Sequence, residues 1–247
     1  MAGVDARRGA KRAREARAEL GLDPGQPVRC LLSAVERQAG LPVVVPVAMP
    51  SGVAGACWRR DDATVLWVNG AHPPVRRRFT LAHELAHAWI GHDGAVQVDT
   101  WSTLSGKATT PYEVQANAFA AELLVPEPVM EEVIESEPTL DEVVCIAAFC
   151  GVSAIVVVIR LKTLGLASER RVEQLEGEIE EGLHHGVVRR LDLRAPQDRL
   201  GALGALPYLS PALDGTLLAA AVGGEAAPDA RLAAALHRLL AQEPRAP

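Results

Sequence analysis

The stretch Arg78-Phe79-Thr80-Leu81-Ala82-His83-Glu84-Leu85-Ala86-His87 decides how this chain is read. Its two histidines stand four residues apart, which on an α-helix is about 40° around and about 6 Å along the axis. Both imidazoles can then be directed at one metal ion. Glu84, next to the first histidine, is placed to act on water as a general base rather than as a ligand. Zinc lowers the pKa of water toward ~7, where a carboxylate can take its proton. A random ordering of 7 His and 20 Glu over 247 residues would produce this spacing only about 0.016 times. The competing reading is an amphipathic helix whose surface histidines share that spacing by accident.

The segment around the motif supports a helix. His72-Pro73-Pro74 opens it, because proline is tolerated in a first turn, and Gly91 closes it. A catalytic zinc takes three protein ligands and keeps a fourth position for water. His92 is a poor third ligand, since nine residues after His83 it falls about 180° around the same helix. Glu113 is the better candidate. It begins Glu113-Val114-Gln115-Ala116-Asn117 on a second helix, read from Pro111 to Val125, with Asn117 one turn on and able to hold a ligand imidazole from outside. The same glutamate also completes a capping box, Thr110-Pro111-Tyr112-Glu113. Residue types alone leave those two roles open.

Outward from these helices, three β-like runs precede the motif: Leu41–Met49, Val53–Trp58 and Thr64–Val68. Pro46 makes the first an edge or broken strand, and Arg59-Arg60-Asp61-Asp62 reads as a hairpin loop. Thr64–Val68 is the expected edge for an extended substrate segment. Asp93 to Thr109 reads as a polar loop. Upstream lie a helix over Val28–Gln38 and a basic, Ala-rich helix over the first twenty residues, which lacks the apolar region of a signal peptide. Its basic face is expected to be solvated.

Eight of the nine aromatic residues lie between Trp58 and Phe149, so the firmest core is expected in the middle of the chain. Phe79, Trp89, Tyr112 and Phe119 flank the metal motifs, where Tyr112 reads as a packing residue and Arg78 as a solvated one. A net charge of −6 argues against a general polyanion binder. Cys30, Cys57, Cys145 and Cys150 form no C-x-x-C pair and read as reduced thiols of a cytoplasmic protein. The most apolar run, Cys145–Ile159, falls short of the ~20 residues that cross a membrane.

These residues resemble the ImmA/IrrE family of zinc metallopeptidases. The likeness rests on Arg78 to His87, on Glu113 to Pro126, and on the later Phe149-Cys150-Gly151-Val152-Ser153 with Arg160 to Leu166, and spans roughly residues 28–166. It implies an α+β, zincin-like peptidase domain, a small sheet with an active-site helix and a ligand helix. A helix-turn-helix-like helical module and a small C-terminal region follow. With the basic helix read from composition, the expected boundaries are 1–26 for that helix, 27–135 for the peptidase, 136–166 for the module and 167–247 for a C-terminal region of unknown role, which the resemblance does not cover. The resemblance also implies Zn²⁺ on His83, His87 and Glu113, with Glu84 as base, and cleavage of a helix-turn-helix repressor in a bacterial regulatory or stress response. Two other readings stay open: a non-proteolytic, zinc-bearing regulator that binds a repressor, and a DNA-binding regulator.

Ala147, Gly151 and Val157 have helix-turn-helix spacing, with Ser153 as N-cap. A DNA-reading helix needs exposed polar side chains, whereas Ala154–Ile159 is apolar nearly all round. It reads as a buried helix, which argues against direct DNA binding, and the module is expected to pack on the peptidase or on a partner. Beyond it, Ser168–Leu183 reads as an acidic amphipathic helix, Val187–Leu193 as a strand and Asp229–Gln242 as a helix. His184 and His185 read as a solvated pair whose side chains diverge by about 100°.

Overall fold

The computed structural model describes residues 2–41, 43–45, 49, 52–60, 63–92, 96–100, 110–193 and 208–209. The expected helix over Asp229–Gln242 lies outside them.

The N-terminal helix α1 (Ala2–Glu19) shows how small residues set packing distance. Ala10, Ala13, Ala16 and Leu20 recur at helical spacing and are buried together. Gly9 lies so close to the Gln115 backbone that a methyl group there would overlap it. Helix α1 therefore lies tightly along the helix that carries Glu113. Its basic face is exposed except for Arg17, which is buried and donates to the carbonyls of Leu123, Asp23 and Gln26. The helix expected over Val28–Gln38 is shorter: one turn, α2 (Leu31–Ser33), running into a π-helical segment, Ala34–Gln38.

Five strands form one sheet: β1 (Val43–Val45), β2 (Val53–Arg60), β3 (Ala63–Val68), β4 (Val96–Thr100) and β5 (Tyr208–Leu209), in the order β4-β2-β3-β1-β5. Strands β2 and β3 pair antiparallel from Gly55↔Val68 to Arg60↔Ala63. Arg59 and Arg60 are thus strand residues, because the cross-strand ladder continues to the last residue before the turn. Strand β1 is described over Val43–Val45, and Pro46 lies outside the described residues. It is an interior strand, however, parallel to β3 and antiparallel to β5.

Two further expectations change here. Strand β3 lies between β2 and β1, so both its backbone edges are used and it cannot receive an extended substrate. The edge strands are β5 and β4, the latter paired antiparallel to β2 inside the segment read as a polar loop. Val96 and Val98 alternate with Gln97 and Asp99, a strand pattern too short to stand out among polar neighbours.

Helix α3 (Pro74–Ile90) carries the motif. It packs on β2 and β3 and against α4 (Pro111–Leu124), so Leu81 to His87 are buried without interruption. Arg78, expected in solvent, is 5% exposed and donates to the Val28 carbonyl. Burial pushes its guanidinium down to about 10. Phe119 and Trp67 are core residues. Tyr112 and Phe149 remain 41% and 47% exposed, so the aromatic segment is not uniformly core.

Helix α5 (Glu127–Val133) leads to α6 (Leu140–Cys150), which opens with a complete capping box between Thr139 and Glu142. The chain then bends by 108° into α7 (Ala154–Leu164). Val157, Val158 and Leu161 are buried, and Arg160 is buried with them. Arg160 pairs with Glu122 of α4 and donates from Nε to the Val125 carbonyl at 3.1 Å. Among the described residues no single helix is long and apolar enough to cross a membrane.

Helix α8 (Glu169–Glu180) begins at Ser168, whose Oγ accepts from the Arg171 N–H at 3.2 Å. The segment read as a strand from Val187 is instead the second half of α9 (Leu183–Arg190). It packs on α6, where Arg190 pairs with Asp141 at 2.7 Å. Val187 is the buried residue of that eight-residue helix. The His184 and His185 rings do not diverge, since their centroids are 3.9 Å apart.

Candidate metal centre

Two prolines start α3 and a glycine ends it, and both histidines lie in the turns between. His83 and His87 are 0% and 1% exposed, and their Nε2 atoms stand 3.0 Å apart. Helix α4 delivers the third group. Glu113 Oε2 is 3.1 Å from His83 Nε2, and Oε1 is 3.7 Å from His87 Nε2. Of the two roles open to the Glu113 carboxylate, the structure shows the one that faces the histidines; Thr110 Oγ1 caps the helix by accepting from the Glu113 N–H at 3.3 Å, without the reciprocal side-chain bond of a capping box among the described residues. Burial would raise that carboxyl, but hydrogen bonds from His83 and His87 outweigh it and hold it well below the usual range.

The donor set fits a zinc ion. Two ligands each about 2.05 Å from a tetrahedral zinc stand about 3.3 Å from one another. The observed separations of 3.0, 3.1 and 3.7 Å scatter around that value. Two imidazoles and a carboxylate are also the ligand chemistry of a hydrolytic zinc site. Among the described residues this is the one group of three or more His, Cys, Asp or Glu side chains that could hold a metal ion.

Each imidazole has a partner on its other nitrogen. Asn117 Oδ1 is 3.0 Å from His83 Nδ1, the outer position expected from its place one turn after Glu113. His92 Nδ1 is 2.9 Å from His87 Nδ1. His92 lies outside the three-residue group, so it is not a ligand, yet it is adjacent to one. The helical angle did not apply to it. Helix α3 stops at Ile90, and Gly91 takes a left-handed conformation (φ 79°, ψ 41°) that turns the chain back beneath His87. The His92 ring is 4% exposed and stacks on Tyr112 with centroids 4.7 Å apart. Burial, and then neighbouring His87, push His92 down to about 4, so it is neutral near pH 7. Arg59 of β2 donates to the carbonyls of His87 at 3.0 Å and Ala88 at 3.2 Å, placing a cation at the negative end of the helix dipole.

Glu84 is fully buried on the side of α3 that meets β2. A methyl group on Gly55 would overlap Glu84 Oε1 and Thr80 Cγ2, and would stand 2.8 Å from the Trp67 carbonyl. Gly55 is thus the space into which the Glu84 carboxylate fits. An isolated glycine inside a strand is the sequence signal for such an approach, and Gly91 two residues after Trp89 is the corresponding signal for His92.

Residues 37–162 match the peptidase family described as the IrrE N-terminal-like domain. The Radiation response metalloprotease IrrE of Deinococcus radiodurans is 34% identical to this chain over 113 residues, which are 45% of this chain and 32% of that protein. The chain therefore spans about a third of the length of that relative. With the match covering half of its length and the paired histidines and Glu113 inside it, the chain belongs to the ImmA/IrrE family, whose domain is that of IrrE's N-terminal part.

Proposed function

We propose that this protein is a zinc-dependent endopeptidase that cleaves a helix-turn-helix transcriptional repressor in a bacterial regulatory or stress response. The observation that carries the catalytic part is the meeting of His83, His87 and Glu113 around one point, with Glu84, the residue after His83, also buried. His83 Nε2, His87 Nε2 and the Glu113 carboxylate would hold the zinc. Bound there, the ion supplies Lewis acidity, polarising the scissile carbonyl and lowering the pKa of water toward ~7.

The remaining steps belong to side chains. Glu84 takes the proton of the attacking water and returns it to the leaving amine, a general acid–base role worth about 10²–10⁴ in rate. Asn117 holds the His83 ring through Nδ1. Among the described residues β4 has no strand on its outer side, an edge on which an extended segment of substrate can pair. Regulation by repressor cleavage is supported by the family membership and by the name of the matched relative, a metalloprotease of the radiation response. The burial of α7 counts against reading DNA bases through that helix.

The test uses the full chain with zinc and a helix-turn-helix repressor encoded beside it, with and without a chelator. Glu84→Gln keeps zinc and loses cleavage, whereas Glu113→Ala loses both. Full zinc occupancy in Glu113→Ala overturns the ligand assignment. Stable binding of the repressor without any cleavage overturns the enzyme in favour of a zinc-bearing regulator that works by binding.

A further inference from the structure

His83 and His87 present the same nitrogen, Nε2, to the Glu113 carboxylate and turn the other, Nδ1, away from it. A neutral imidazole carries one proton. A histidine that gives its Nε2 lone pair to a metal therefore has its proton on Nδ1 and needs an acceptor there. For His83 that acceptor is an amide oxygen, Asn117 Oδ1. For His87 it is another imidazole, and the contact between the two Nδ1 atoms, 2.9 Å, admits one proton only.

We infer that His92 is a positioning residue, a hydrogen-bond acceptor that fixes the tautomer and ring plane of His87 and so tightens the zinc site. The inference rests on the zinc reading of His83, His87 and Glu113. His87 Nδ1–H donates, His92 Nδ1 accepts, and the His92 proton sits on Nε2. The seat of His92 is built for one orientation. The left-handed Gly91 brings the His92 N–H to the His87 carbonyl at 3.2 Å, and Tyr112 stacks on the His92 ring. Gln115 of α4 donates to Asp5 Oδ1 of α1 at 3.1 Å, while His92 Nε2 is buried with no hydrogen-bond partner among the described residues.

The test measures zinc affinity of the full chain by competition with a chromophoric chelator, for native protein, His92→Phe, His92→Ala and His92→Asn. Phenylalanine keeps the stacking on Tyr112 and removes the acceptor; asparagine offers an oxygen near the lost Nδ1. Outer partners of ligand histidines are worth about 10–100-fold in metal affinity. His92→Phe and His92→Ala are expected to lose that much, and His92→Asn to recover most of it. The ¹⁵N spectrum of the zinc-loaded protein gives a second readout, with a protected His87 Nδ1–H in the native protein and His92→Asn but not in His92→Phe. Native affinity in His92→Phe overturns the inference, as does equal loss in the phenylalanine and asparagine variants, which would make the role one of packing. Should His92→Phe not fold, the alanine–asparagine pair makes the same distinction. If native protein binds zinc no better than Glu113→Ala does, the zinc reading itself fails, a different result from either.

Discussion

Replacing Glu122 by glutamine leaves Arg160 charged at a position only 2% exposed to solvent. Its other hydrogen bond goes to the Val125 carbonyl, and among the described residues no second carboxylate lies within ion-pair reach of it. Removing one partner of a buried pair costs about 3–5 kcal/mol, because the remaining charge is desolvated without compensation. For a chain of this size each kcal/mol moves the melting midpoint by about 2–4 °C, so Glu122→Gln should lower it by about 6–20 °C. The converse change is milder. In Arg160→Met, Glu122 keeps Arg14 at 3.5 Å, a half-exposed guanidinium that partly neutralises it, which puts the loss near the lower end, about 3 kcal/mol. The double variant Glu122→Leu/Arg160→Met removes both charges and fills the site with apolar volume, and should melt within about 1 kcal/mol of native. Far-UV circular dichroism on the full chain, at one protein and one zinc concentration, reads all four midpoints. A Glu122→Gln midpoint within about 2 °C of native would refute the reasoning. So would a double variant as unstable as the sum of the two singles, since coupled partners cannot be additive.

Gly55→Ala should cost about 1–3 kcal/mol of stability by overpacking, and should impair cleavage while keeping zinc, because the added methyl group displaces Glu84 and not the ligands; zinc stoichiometry and turnover measured together check this. Gly9→Val should likewise destabilise by driving α1 off the Gln115 backbone, an effect seen in the melting midpoint. Chelation should lower the midpoint of the zinc-loaded chain by an amount that grows with free zinc, about 4 kcal/mol at a thousandfold excess over Kd, and re-added zinc should restore it. Burial raises the Cys150 thiol from an ordinary 9.0 to about 12. The folded chain therefore keeps that proton between pH 9 and 12 while the unfolded chain releases it. This contribution is complete below pH 9 and is lost as pH rises through that window, so Cys150→Ala should flatten the alkaline fall in melting midpoint. At neutral pH, exposed Cys30 should react with iodoacetamide well before Cys150 does.

Much of the site was legible in residue order, for a physical reason. A helix returns to the same face every 3.6 residues whatever surrounds it, so His83 and His87 had to share a face once Pro74 and Gly91 bounded the helix. The same periodicity placed Asn117 one turn beyond Glu113 and drew the alanine stripe of α1. Other features depend on which distant groups meet. Whether the Glu113 carboxylate closes a capping box or faces the histidines is decided by the packing of α4 on α3, which turns it to the histidines. His92 reaches His87 because the chain leaves the helix at Gly91, where helical angles no longer apply. Strand β3 proved interior because β1 pairs with it from across the sheet, and pairing between separated segments leaves no local mark. Residue spacing thus determined which donors share a helix face, and the tertiary structure decided which faces meet. Backbone periodicity is a local property of the chain, whereas the approach of α4, β2 and the Gly91 turn to α3 is set by the burial of side chains far apart in sequence.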